Sequence, residues 1–127
     1  MQPNTVSAIL AEKQVPVVAI DDKGIFFFVN EAFQHEYGWR AKDLYGEVIT
    51  CIMPPYMRDA HNFGFSRFLV TEAPRILHKR LALPVYCKDG TIVEAEHFII
   101  GEKKEDGSWR FAATITPKGA LEKVEES

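Results

Sequence analysis

The sequence predicts one α+β domain in which helices cover one face of a five-stranded antiparallel sheet. The chain has 127 residues and 46% of them are hydrophobic, so it is long enough for one sizeable core and too short for two. Runs suited to strands form two groups, a pair near the N-terminus and three in the second half, with helical patterns between them. Because two strands cannot bury a face alone, all five most simply pair in one sheet.

Residues 1–14 are predicted to form a flanking helix. Val6, Ile9 and Leu10 recur at helical spacing, and Thr5 or the residue before it suits the N-cap. The resulting apolar stripe needs a partner surface. That surface is either the sheet of the same chain or a second copy, and we expect a homodimer.

A hairpin and a helix are predicted next. Two apolar runs, 15–20 and 25–29, flank a turn that contains aspartate and glycine, as in β-hairpins. Asn30 is suited to cap a helix over residues 31–37, and Gly38 is suited to end it.

The middle of the chain is predicted to be helical but interrupted. Residues 39–53 read as short helical pieces broken at Gly46, and Pro54-Pro55 is a firm break. A longer helix is then expected from about Met57 to Val70.

Three strands complete the predicted domain, over residues 76–87, 91–100 and 109–115. Pro84 indicates that the first of them is an edge strand or carries a bulge, because proline cannot donate to the ladder. Pro117 closes the domain, which therefore spans residues 15–117, and residues 118–127 form a charged tail.

Composition excludes several classes of function. The net charge is −3 and no basic block stands out, which argues against nucleic-acid binding. No leader and no apolar run of membrane-spanning length is visible, so we expect a cytoplasmic protein. Cys51 and Cys87 are expected to be free thiols, without the spacing of a zinc site. No nucleophile motif is present, so we do not expect an enzyme.

His61 lies on the apolar face of the predicted long helix, with Phe65 and Phe68 on the same face and Gly64 between them. A neutral imidazole on an apolar wall suits an axial ligand of haem iron, and Gly64 would leave room for a flat ring. The alternative is a histidine bonded to a carbonyl group in the core or at the surface.

His97 belongs to the buried face of a predicted strand. Alternation places Val93, Ala95, His97 and Ile99 on one side, while glutamates occupy the other. Burial of an imidazole without a partner costs free energy, so a function as the distal iron ligand or as a hydrogen-bond donor to a bound gas is one reading. Pairing with Tyr37 or with a backbone group is the other.

Three segments resemble a PAS domain: VVAIDDKGIFFFVNEAFQHEYGW, DLYGEVITCIMPP and YCKDGTIVEAEHFII. The Asn-Glu-Ala-Phe sequence after a strand and the later Lys-Asp-Gly turn carry the likeness, which covers about residues 15–117. The resemblance implies the PAS fold and a sensory or signalling module, and PAS domains often dimerise through a flanking helix. It does not identify a ligand, because PAS domains bind many ligands or none.

The segment IMPPYMRDAHNFGFSRFLVTEAPRIL is similar to the haem-binding PAS domains of the FixL type, which sense oxygen. That resemblance implies haem b with His61 as the proximal iron ligand. It also implies that Arg67 and Arg75 lie near the haem propionates. The alternative for both arginines is ordinary solvation.

The resemblance fails at one position. FixL-type domains place an arginine over the distal face of the haem, and an ungapped alignment puts Leu81 there, with Arg80 next to it. Because a shift of one residue reverses the side a residue faces, Arg80 could serve only if the strand bulges. The light-sensing flavin PAS domains carry an NCRFL-like motif around a reactive cysteine, and the surroundings of Cys51 lack it.

The sequence therefore predicts a sensor of a gas or of redox state, with haem b held by His61 and His97 and signalling to an output domain or protein in trans. Ile76, Leu81 and Ile99 are expected as apolar walls of the pocket. The alternative is a haem-free PAS domain that mediates protein interaction or dimerisation, or that binds a small organic molecule.

Overall fold

The computed structural model describes residues 5–61 and 78–118. Its helices are α1 (Val6–Leu10), α2 (Glu31–Tyr37), α3 (Ala41–Leu44), a 3₁₀ helix (Ile49–Ile52) and α4, which is described over residues 55–61. Its strands are β1 (Val17–Asp21), β2 (Phe26–Val29), β3 (Arg80–Tyr86), β4 (Ile92–Lys103) and β5 (Trp109–Pro117).

The strands form one five-stranded antiparallel sheet in the order β2-β1-β5-β4-β3. This confirms the predicted fold class. β3 is an edge strand, which explains how it accommodates Pro84 without loss of a ladder hydrogen bond to a second neighbour. β4 continues three residues beyond the predicted end at Ile100, to Lys103, and pairs with β5 along that extension.

Each sheet face carries its own apolar cluster. The inner cluster lies on the face that carries α2, α3 and the 3₁₀ helix, and its buried members are Val18, Ile20, Phe26, Val29, Phe33, Tyr37, Leu44, Ile52, Val85, Cys87, Ala95, Phe111, Ala113 and Ile115. The outer cluster lies on the opposite face, and its buried members are Val6, Ile9, Val17, Ala19, Phe98, Ile100 and Ala112.

The position of α1 differs from the expectation that all helices cover one face. Val6 and Ile9 are 0% exposed and pack into the outer cluster, so α1 covers the opposite face of its own sheet. Burial of each side chain contributes about 1.5–3 kcal/mol relative to exposure. The apolar stripe that motivated a homodimer is therefore already covered within the chain.

α2 has the predicted bounds because both of its ends are fixed by local chemistry. The Asn30 side chain accepts a hydrogen bond from the Phe33 amide at 2.9 Å, and Gly38 ends the helix in the left-handed region at φ 82°. Asn30 also accepts from Val17 and donates to the carbonyl groups of Glu12 and Val15. This one amide joins β1, α2 and the segment that follows α1.

β2 contains a bulge that the sequence analysis did not anticipate. Ala19 of β1 pairs with Phe28, but Ile20 pairs with Phe26, which leaves Phe27 without an opposite residue. Phe27 is 43% exposed as a result.

Candidate functional site

His97 lies on the inner face of β4, as strand alternation predicted. Ala95 is a buried member of the inner cluster and Ile99 packs against it, and His97 lies between them on the same side of the strand. Its cross-strand neighbours are Leu81 on β3 and Ile115 on β5. Val93, expected on this buried side, is 37% exposed.

The tautomer of His97 follows from its hydrogen bond. Nδ1 lies 3.2 Å from the carbonyl oxygen of Ala95, and because a carbonyl only accepts, Nδ1 carries the proton. In the neutral ring Nε2 then keeps its lone pair. Burial lowers the pKa of His97, which favours this neutral form. Of the two structural alternatives for His97, the structure shows the backbone bond.

Tyr37 is bonded elsewhere. Its hydroxyl donates to the carbonyl oxygen of Ile115 at 2.9 Å, and burial raises the pKa of the phenol well above its usual range. Ile115 pairs directly with His97, so Tyr37 fixes the strand beside the imidazole.

The β3–β4 register decides which of two neighbouring residues reaches the inner face. Pairing runs without a shift from Arg80 opposite Phe98 to Tyr86 opposite Ile92, and no bulge interrupts it. Leu81 is therefore directly opposite His97 and shares its face.

Arg80 points to the opposite face. Its guanidinium lies 2.7 Å from Oε1 of Glu96 and 5.7 Å from the centre of the Phe98 ring, which belongs to the outer cluster. Arg80 is thus placed away from the inner face, and the position in the FixL-like pattern is occupied by leucine.

His61 is the last described residue of α4 and is partly buried, with its Nδ1 atom inaccessible to solvent. The predicted helix is confirmed as far as it is described, although it begins at residue 55, two positions before the expected start. Proline is well suited to this first helical position, because its missing N–H would have no partner there. The predicted site residues Phe65, Arg67, Phe68, Arg75 and Ile76 lie outside the described residues.

Arg58 is a residue of α4 that the sequence analysis did not consider. It lies on α4, one turn before His61, and its Nε donates to the carbonyl oxygen of Met53 at 3.1 Å. The guanidinium lies 5.8 Å from the centre of the Tyr86 ring on β3. The available signal was the spacing of three residues between a cation and His61 on a predicted helix.

The described part of the chain offers few other side chains that could bind a metal ion. Cys51 and Cys87 are free thiols, as expected, and burial raises the pKa of each. No group of three or more His, Cys, Asp or Glu side chains in residues 5–61 and 78–118 could hold a metal ion. Two imidazoles are enough for haem iron, however, because the porphyrin supplies four ligands itself.

Comparison with known proteins gives the same architecture. A PAS domain from Desulfitobacterium hafniense matches with a TM-score of 0.66 at 18% identity, over 87% of this chain and 98% of that one. The PAS domain of an HTR-like protein from Haloarcula marismortui matches with a TM-score of 0.65 at 18% identity, over 88% of each chain. The chain has the PAS fold.

A curated protein also resembles this chain in sequence. Sensor protein FixL from Bradyrhizobium diazoefficiens is 26% identical over 99 residues, which are 78% of this chain. The matched part of the chain corresponds to only 19% of the length of that relative. No known protein-family profile matches the chain.

A solved structure that bears a different name matches equally well. The LOV protein of Rhodobacter sphaeroides has a TM-score of 0.66 at 12% identity, covering 88% of this chain and 64% of that one. At such identities the similarity establishes the fold only. Within the described ranges, no helix has both the length and the apolarity needed to cross a membrane.

Proposed function

We propose that this PAS domain is a sensory module that binds haem b, with His61 as the proximal iron ligand and His97 as the distal one. The observation that carries the proposal is the state of His97. Its proton is held at Nδ1 by Ala95, and Nε2 keeps a lone pair on a face lined by apolar residues. Metal-bound histidines commonly donate their other ring N–H to a carbonyl group in this way.

The side chains around His97 also suit a haem group. Leu81, Ile99 and Ile115 are its neighbours on the inner face, and a porphyrin needs such apolar contacts. Haem would supply an iron centre that changes its axial ligands with oxidation state or with a bound gas. We propose Phe65, Phe68 and Ile76 as further pocket residues, and Arg67 and Arg75 as propionate partners, from the FixL-like segment.

The signal is proposed to be a gas or a redox change, because either one acts on haem iron through its axial ligands. The relative of this chain in Bradyrhizobium diazoefficiens is named as a sensor protein, which supports a sensory role. We propose that the output lies in a partner domain or protein in trans, and the homodimer stays a prediction.

Titration of the purified protein with hemin tests the proposal. We expect a Soret band that saturates at one hemin per chain, and loss of that band in His61→Ala. His35→Ala is the matched control, because His35 is exposed on α2 and should leave the titration unchanged. Equal hemin affinity in His61→Ala and the parent would contradict the proximal assignment.

The Nε2 atom of His97 also suggests a second candidate function. An Nε2 acceptor on an apolar face would also suit a neutral organic molecule that carries one O–H or N–H donor. Two results together would favour this function over haem. The parent protein would show no Soret band with hemin, and such a molecule would raise the unfolding midpoint of the parent but not that of a His97 variant.

A further inference from the structure

The ladder between β1 and β5 lacks one donor at its end. Pro16 directly precedes β1 and lies opposite Ile115, whose N–H donates to the Pro16 carbonyl oxygen at 2.9 Å. In an antiparallel ladder the two residues of such a pair exchange both hydrogen bonds. Proline has no N–H, so Pro16 cannot donate in return to the carbonyl oxygen of Ile115.

The hydroxyl group of Tyr37 supplies the donor that is missing. Tyr37 is the last residue of α2, and its hydroxyl donates to the Ile115 carbonyl oxygen at 2.9 Å. Both residues are buried, and a buried carbonyl group without a partner would destabilise the fold by the cost of its desolvation. Tyr37 therefore ties α2 to β5 at a position where the neighbouring strand has no N–H to offer.

The same bond directions bring the side chain of Ile115 close to His97. The N–H of Ile115 points to β1, and the N–H and C=O of a strand residue point to the same neighbour, so neither bonds to β4. Ile115 and His97 are therefore a non-hydrogen-bonded pair, the type in which the side chains lie closer together. A displacement of Ile115 consequently changes the packing around the imidazole.

We propose that Tyr37 is a positioning residue for His97. Its hydroxyl takes the place of the N–H that Pro16 lacks, and this bond holds Ile115 against the imidazole while Nδ1 donates to Ala95 and Nε2 stays unprotonated. Tyr37 acts on the ligand only through His97, so this role rests on the proposed function, in which His97 binds the ligand.

The ring-nitrogen resonances of His97 test this role without any ligand. Long-range proton–nitrogen NMR spectra of the isotope-labelled protein distinguish a protonated from an unprotonated ring nitrogen, and His97→Gln identifies the signals. In the parent we expect a protonated Nδ1 and an unprotonated Nε2. In Tyr37→Phe, β5 should shift or admit water to satisfy the Ile115 carbonyl group. The Nε2 resonance should then move toward the protonated position, because water that reaches the ring accepts from Nε2 in part of the population.

A second substitution restores the lost bond from the other strand. Pro16→Ala provides an N–H opposite the same carbonyl group. Tyr37→Phe combined with Pro16→Ala should therefore recover the parental His97 resonances. Since the loss of a proline also loosens the unfolded chain, the resonances are compared and not the stabilities.

Tyr45→Phe is the matched control for the loss of a hydroxyl. The Tyr45 hydroxyl also bonds to the backbone, since it accepts from the N–H of Val29 at 3.3 Å, but Val29 belongs to β2, which is separated from β4 by two strands. Tyr45→Phe should leave the His97 resonances unchanged. Tyr37→Phe should bind hemin about tenfold more weakly than Tyr45→Phe, at the low end for residues that orient a metal-bound histidine.

Unchanged His97 resonances in Tyr37→Phe would overturn the positioning role, even if hemin binds the parent. A change that persists in the double variant would overturn it as well, because the missing ladder bond would not be its cause. If the parent gives no Soret band, while the resonances change in Tyr37→Phe and recover with Pro16→Ala, the haem function fails and the positioning role stands for the organic ligand.

Discussion

At the scale of single residues, His97 makes the folded protein sensitive to acid. Burial lowers the pKa of this imidazole below its ordinary value, while in the unfolded chain it titrates near ~6.5. As the pH falls below that value, the unfolded chain takes up a proton that the folded protein does not. The free energy of unfolding therefore decreases, by at most about 1.4 kcal/mol per pH unit for one proton.

We accordingly expect His97→Gln to lose less stability than the parent between pH 7.5 and pH 5.5. Urea unfolding followed by circular dichroism at the two pH values measures this difference without any ligand. His35→Gln is the control, since His35 is exposed and should keep the parental pH dependence. A parental pH dependence in His97→Gln would mean that other groups cause it.

At the scale of secondary-structure elements, the register between β3 and β4 assigns neighbouring residues to different faces. Leu81 is opposite His97 on the inner face, whereas Arg80 is bonded to Glu96 on the outer one. Leu81→Trp should therefore crowd the space beside His97 and weaken hemin binding by about tenfold or more, because the larger side chain overpacks the space that the porphyrin would occupy. Arg80→Trp should leave hemin affinity unchanged.

Both variants introduce tryptophan, at positions one residue apart, so the bulk and hydrophobicity of the introduced side chain are matched. Hemin titration of both, followed by the Soret band, distinguishes the faces directly. A stronger effect in Arg80→Trp than in Leu81→Trp would mean that the strand register differs from the one described here.

The same elements show what the sequence was able to predict. Asn30 and Gly38 fixed the bounds of α2, because a side-chain cap and a left-handed glycine are local features. Pro84 marked β3 as an edge or bulged strand for a similar reason. The choice between Leu81 and Arg80 depends on pairing with β4, a contact between distant parts of the chain, and so it stayed open until the register was known.

One feature of the whole molecule was missed although the sequence carried a signal for it. All four residues from Val17 to Ile20 are buried, which requires apolar cover on both faces of β1. A continuous apolar run indicates such a doubly covered strand, and α1 supplies the second cover.

Ligand binding should also stabilise the molecule as a whole. A ligand that binds only the folded chain raises the free energy of unfolding by ~2.7 kcal/mol at a free concentration of 100 times Kd. Hemin also adheres to apolar surfaces, however, and adhesion to the unfolded chain would lower the unfolding midpoint. We expect hemin to raise the urea midpoint of the parent and to leave that of His61→Ala unchanged. A Soret band without a rise in the parental midpoint would indicate adhesion rather than a site built by the PAS fold.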